Sequence, residues 1–236
     1  MSLIRAEDLG VRFLFDRQRN VVSPALARLR RRGSETWGLR DVTFTIAAGE
    51  GVALVGSSGS GKTTLLRTIA GVLTVDAGRI EIQGRVASLL SIEAGLLSVL
   101  TGRENAQLLG VLAGMPRRES RALLDEVKAR SGLGDRFERP VSSFSQGMRA
   151  RLGFAVADAT GPEILLLDEV HEALDHEFRA IVEARAGAIL AAGGIVVAAG
   201  HDHPMLARLC SRAFLMSEGS LVADGDLAEV QEAYLG

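Results

Sequence analysis

The sequence predicts an α/β fold with a parallel central sheet, a phosphate-binding loop and a helical insertion, and three observations predict it. A glycine-rich run, Gly56-Ser57-Ser58-Gly59-Ser60-Gly61-Lys62-Thr63, stands between the apolar stretch Val52–Val55 and the helical pattern Thr64–Ala70. A second apolar stretch, Ile164–Leu167, ends in the paired carboxylates Asp168 and Glu169. A third, Ile195–Ala199, ends at Gly200-His201-Asp202. Short, wholly apolar runs are the mark of strands buried on both faces, and such sheets open their ligand crevice at the strands' carboxyl ends.

The glycine run reads as a phosphate cradle. Glycines at Gly56, Gly59 and Gly61 let the backbone curl until successive N–H groups of Ser57, Ser58 and Ser60 face one anion, and the helix that follows adds the positive pole of its dipole. Lys62 is placed to reach the β- and γ-phosphates and the Thr63 hydroxyl to hold Mg²⁺, with Thr64 beside it at the helix start. A glycine-rich turn with a chance lysine is the bland alternative. Strand, loop and helix in the order the mechanism needs argue against it.

A cradle binds a nucleotide without hydrolysing it. Asp168 supplies a further ligand for Mg²⁺, through water, and Glu169 a group to polarise the attacking water. Two acids after an apolar strand are also an ordinary strand exit; the cradle upstream favours the catalytic reading. The segment Phe144-Ser145-Gln146-Gly147-Met148-Arg149-Ala150-Arg151-Leu152 opens a helix that Ser145 can cap, and the free N–H groups beside it make a second anion site. By itself this reads more readily as a plain capped helix. One chain needs one cradle, so a second anion site points to the nucleotide of another copy.

Along the chain, Leu3–Phe13 and Val42–Ile46 read as strands of an antiparallel face, the second carried by alternating Val42, Phe44 and Ile46. The polar insert Asp16–Glu35 carries Arg28, Arg30, Arg31 and Arg32; such a run is either a solvated loop or a contact with anionic headgroups or an acidic partner edge. Leu97–Thr160 is expected to form a helical subdomain, with Pro116 in the first turn of one helix and Leu123, Leu124 and Val127 sharing a face of the next stretch. Glu177–Leu190 reads as a helix, Phe214–Met216 and Ser220–Ala223 as a terminal hairpin, and Leu227–Leu235 as a closing helix.

Length and composition agree with one domain spanning residues 1–236. The 236 residues, 47% of them hydrophobic, suffice for a core, and a formal charge of -2 excludes the basic balance of a DNA-coating protein. One cysteine, Cys210, allows no internal disulfide and suits a reducing cytoplasm. Met1–Asp8 holds no secretory apolar region, and the longest apolar stretch, Ala186–Gly200, is too short and too interrupted by glycine to span a bilayer.

Taken together, these motifs resemble the ATP-binding-cassette (ABC) family across nearly the whole chain. The cradle resembles its first nucleotide motif, Phe144–Met148 its signature in a variant form, and Leu165–Glu169 its second nucleotide motif. Glu172-Ala173-Leu174-Asp175 looks like its dimer-contact loop and His201 like its switch histidine, which contacts the γ-phosphate. Trp37, upstream of the cradle, stands where cassettes place an aromatic ring that stacks on adenine; packing beneath the sheet is the alternative. The resemblance implies an ATPase, with Lys62, Glu169 and His201 catalytic, that works as a homodimer on an integral membrane permease. Two copies sandwich two ATP molecules, each held by the cradle of one and by Ser145, Gln146 and Gly147 of the other.

Within the family the chain is similar to ATPase subunits exporting O-antigen, capsule or teichoic acid. Thr101-Gly102-Arg103-Glu104-Asn105, the stretch Ser143–Ala155, Trp37–Val42, and Leu221–Asp226 with Glu232-Ala233-Tyr234 carry this. Export of a polysaccharide or lipid-linked glycan, from the cytoplasmic face of the membrane and with no nucleic-acid partner, is the implied function; a lipid or drug exporter, or a non-transport ABC ATPase, is the alternative. The stretch from Lys62 to Ser145 leaves no room for the coiled coils of chromosome-maintenance relatives. Two departures stand out: Leu90–Gly95 holds Glu93 where most cassettes place a glutamine, and Gln146 replaces the first glycine of the signature pair. The chain is expected to lack the carbohydrate-binding extension of some exporters, which leaves glycan choice to the permease.

Overall fold

The computed structural model describes residues 1–15, 34–89, 95–168, 175–200 and 203–235. Strands β1 (Leu3–Phe15), β2 (Ser34–Ala47) and β4 (Ala77–Gln83) form an antiparallel sheet in the order β2-β1-β4. The second sheet contains β3 (Gly51–Val55), β5 (Val86–Leu89), β6 (Ile164–Leu167), β7 (Ile195–Ala199), β8 (Arg212–Ser217) and β9 (Ser220–Asp226). Its order is β5-β6-β7-β3-β8-β9, parallel except for the β8–β9 hairpin at one edge. β3, β6 and β7 are buried at every residue, as their unbroken apolar runs require.

Both faces of the parallel sheet are covered. On one, Val52, Leu54, Leu166 and Val197 pack with α1 (Lys62–Ile69) and with the inward residues of the antiparallel sheet, Ile4, Leu39, Val42, Phe44 and Ile46. On the other, Ala53, Leu165, Leu167 and Val196 meet Phe154 from α5 (Gln146–Ala159) and Phe178 and Val182 from α6 (His176–Ala191). The alternation of neighbours along each strand is the ordinary consequence of a two-residue period.

A third apolar cluster belongs to the predicted helical subdomain, where α2 (Gly102–Leu112), α3 (Arg117–Ala122) and α4 (Leu124–Ser131) follow one another: Ala106 of α2, Leu124 and Val127 of α4, Phe137 of the short 3-10 turn Gly134–Glu138 and Leu152 of α5 pack together. Here the Thr101–Asn105 stretch acts structurally. Thr101 and Glu104 form a reciprocal capping box: the Thr101 hydroxyl accepts from the Glu104 N–H (3.1 Å) while the Glu104 carboxylate accepts from the Thr101 N–H (2.8 Å), which holds that carboxyl below its ordinary range. Arg103 donates in a fork to Glu138, at 3.0 and 2.9 Å, and lowers that carboxyl's pKa. Asn105, fully buried, accepts from the Leu97 N–H at 2.7 Å and donates to the carbonyls of Leu97, Leu100 and Thr101. The subfamily stretch thus builds the entrance to the helical subdomain. Pro116 is the N-cap of α3 rather than a residue of its first turn, and Leu123 marks the break between α3 and α4.

The helical cluster is also tied to the sheet core through charge. The buried Asp158 at the end of α5 is gripped by Arg130 from α4 and Arg185 from α6. Arg151 pairs with Asp175, whose carboxylate caps α6 by accepting from the Phe178 N–H at 2.9 Å; the pairing holds the Asp175 carboxyl below its ordinary range. After α7 (His203–Leu209), the hairpin, whose strands run longer than the expected Phe214–Met216 and Ser220–Ala223, and α8 (Leu227–Leu235), at the bounds expected, close the described chain. No helix among the described residues is long and apolar enough to cross a membrane.

Candidate nucleotide site

Strand register brings the distant motifs to one edge. Leu54 pairs with Ala199 and Ala198 with Leu167, so β3, β7 and β6 end level with one another. Just past those ends lie Gly56, Gly200 and Asp168. With strands about 4.8 Å apart and β7 between the other two, Asp168 sits roughly 10 Å across the edge from the root of the glycine loop.

The loop itself is shaped by backbone that only glycine adopts freely. Gly56 has φ +145°, and a Cβ there would lie 2.3 Å from the Met216 carbonyl. Gly61, at φ +111°, is the N-cap of α1, and its carbonyl accepts the Leu65 N–H at 2.9 Å. Lys62 is the first residue of the helix, two residues before the expected start, and is 7% exposed. Its Nζ donates to the carbonyls of Gly56 (2.7 Å) and Ser57 (3.1 Å), which folds the side chain back over the loop's root. The Ser60 hydroxyl is buried with no hydrogen-bond partner among the described residues, a polar group that a ligand in the loop would satisfy.

A cleft of ≈ 530 Å³ opens over the loop, lined by Ser58–Thr64, by Trp37, Thr36 and Gly38 of β2, by Phe13 of β1, and by Glu218 and Gly219 between β8 and β9. That volume suits a nucleotide-sized ligand. Trp37 faces it and is 37% exposed, so it does not pack beneath the sheet; the Arg12 guanidinium lies 5.3 Å from its ring centroid, and Gly10 leaves room for the ring's edge. Asp168, 6% exposed, lies beyond the cleft lining.

Ser145 caps α5 by accepting the Met148 N–H at 3.3 Å, as its position after Phe144 predicts. Ser145 and Gln146 are exposed, Gly147 is half-buried, and none of the three lines the cleft of their own chain. Glu169, His201, Glu93, residues 172–174 of the expected dimer-contact loop and the arginines between 28 and 32 lie outside the described residues. Sequence reasoning missed Phe13, Thr36, Gly38, Glu218 and Gly219 as cleft residues. The Glu-Gly pair between two apolar runs signals a hairpin turn, yet nothing local says that the turn stands beside the loop.

A glycine-loop cradle at the carboxyl edge of a parallel sheet, with an aromatic ring facing it and a buried carboxylate across the edge, defines a nucleotide-binding protein of the phosphate-loop class. Residues 39–172 match the model of the ABC transporter family. The chain belongs to that family and is one of its ATPase domains.

Among its relatives, the O-antigen export system ATP-binding protein RfbB of Klebsiella pneumoniae is 34% identical over 86% of this chain and 82% of its own length. The ABC transporter protein AbcA of Aeromonas salmonicida is 35% identical over 83% of this chain, and the teichoic acids export ATP-binding protein TagH of Listeria innocua is 35% identical over 84%. The chain spans 64% of the length of AbcA, 59% of that TagH and 45% of the RfbB of Myxococcus xanthus. The dimeric post-hydrolysis structure of the cassette MJ0796 bound to ADP and Pi superposes with a TM-score of 0.75 at 22% identity, covering 95% of this chain and 98% of that one. Its fold is therefore shared.

Proposed function

We propose that this chain binds and hydrolyses ATP as the motor subunit of an ABC transporter that exports a polysaccharide or lipid-linked glycan. The observation that supports the reading is the placement of the capped helix: Ser145 and Gln146 are exposed outside the cleft formed by Lys62 and its loop, as a site shared between two copies requires. A second copy turned to face the first would complete such a site. The glycan as cargo rests on the relatives named for O-antigen and teichoic acid export. The partner in this reading is a membrane permease, and the chain works peripherally on the cytoplasmic membrane face.

In this reading Trp37 stacks the base, the N–H groups and side chains of Gly56–Thr64 hold the phosphates, and Lys62 swings from the carbonyls of Gly56 and Ser57 to the phosphate oxygens. Thr63 and Asp168 offer the hard oxygen donors that would hold Mg²⁺, whose charge offsets that of the phosphates. Glu169 orients the water, and His201 contacts the γ-phosphate.

ATPase rate measured against protein concentration, with and without the co-expressed permease, tests the proposal. Specific activity should rise with concentration and respond to the permease; a strictly monomeric protein that cleaves ATP at full speed would refute it. Trp37→Ala should weaken ATP binding by about 1–3 kcal/mol, the magnitude of base–aromatic stacking in nucleic-acid complexes. Unchanged affinity by calorimetry would remove the ring from the site.

A further inference from the structure

The turn joining β8 to β9 brings a carboxylate to the cleft that the phosphate-binding chemistry does not use. Glu218 and Gly219 are both left-handed, at φ +48° and +81°, the signature of a two-residue hairpin turn whose first position asparagine or glycine fills with less strain. Glu218 lines the cleft and is exposed, and its carboxylate has no hydrogen-bond or ion-pair partner among the described residues. Strained backbone at a cleft wall is a pointer to function.

The turn is fastened on two sides. The Gly219 N–H donates to the Ser60 carbonyl at 2.9 Å, and the Gly219 carbonyl accepts from the Arg40 N–H at 2.9 Å. A Cβ on Gly219 would lie 2.9 Å from the Gly38 carbonyl, and one on Gly61 would lie 3.1 Å from Gly219 Cα. The turn is therefore wedged between the phosphate loop and the strand that carries Trp37. In a nucleotide whose base lies on Trp37 and whose phosphates lie in the loop, the sugar occupies the interval between them.

We infer that Glu218 accepts hydrogen bonds from the ribose 2′- and 3′-hydroxyls and makes the site selective for ribonucleoside triphosphates. This rests on the reading of the cleft as an ATP site. A carboxylate is repelled by phosphate oxygens and gains nothing from an aromatic face, whereas the sugar hydroxyls are neutral donors at the right station.

Calorimetric titration of the full chain with ATP, 2′-deoxy-ATP, 3′-deoxy-ATP and inosine triphosphate, in wild type, Glu218→Asn and Lys62→Met, tests it. Asparagine suits the turn, so Glu218→Asn should melt at or above the wild-type temperature. Wild type should bind ATP more tightly than at least one deoxy analogue by roughly tenfold or more, the scale of a hydrogen bond to a charged group. Glu218→Asn, which keeps only a shorter, neutral acceptor, should narrow the gap between ATP and that analogue, and Lys62→Met should weaken all four nucleotides together. Equal binding of ATP and both deoxy analogues by wild type, undiminished discrimination in Glu218→Asn, or a loss that follows the base in the inosine arm instead of the sugar, overturns the assignment and leaves the ATP site standing. Wild-type protein that binds none of the four overturns both.

Discussion

Replacing Lys62 with methionine is expected to lower ATP turnover by at least ~10²–10³-fold, the usual cost of losing one preorganised donor to developing charge. Two losses combine at this residue. Its ammonium group donates to the Gly56 and Ser57 carbonyls at 2.7 and 3.1 Å, and in the proposed mechanism it is the cation for the phosphates. Methionine keeps the apolar stem, which is buried at the start of α1, and so preserves packing while deleting the charge. Phosphate release at saturating ATP and an unchanged melting temperature are the paired measurements. A Lys62→Met protein that hydrolyses ATP at the wild-type rate would show that the cleft over Ser58–Thr64 is not the reaction site.

The second large effect is expected at Glu169. Glu169→Gln should retain ATP, hydrolyse it ~10²–10⁴-fold more slowly, the typical contribution of a positioned general base, and accumulate as a nucleotide-locked dimer. The amide preserves size and one acceptor but cannot take a proton from water. Asp168, the residue before it in the sequence, is buried just past the end of β6. Single-turnover kinetics together with light scattering in ATP distinguish slow chemistry from failed binding. Normal turnover in this variant would take Glu169 out of the chemistry.

Legibility of the site in the sequence varied with the range of the interaction that made each part. The glycine loop, the Ser145 cap and the buried strands could be read because each is a local matter of backbone freedom, capping or unbroken hydrophobicity. The Thr101–Glu104 box obeys the same local logic, but Asn105 as a fully buried hub for Leu97, Leu100 and Thr101 depends on how the chain re-enters the helices. Strands β4 and β5 escaped the sequence reading for a related reason. β4 is mostly solvent-facing, with Ile80 and Ile82 half-buried among charged neighbours, and β5 has only four residues. Neither carries a pattern long enough to stand out, and each is held by a partner far away, β1 for one and β6 for the other.

By itself, the order of residues determined that this chain carries a phosphate cradle, a carboxylate-tipped strand and a capped helix, since those properties are written within a few neighbours of one another. Only tertiary structure decided which of them meet. The parallel register of β3, β7 and β6 levels Gly56 with Asp168, and the edge hairpin carries Glu218 to the phosphate loop. Ser145, by contrast, is left outside the cleft. Such meetings depend on sheet order and packing between segments far apart in the chain, and no local propensity encodes them.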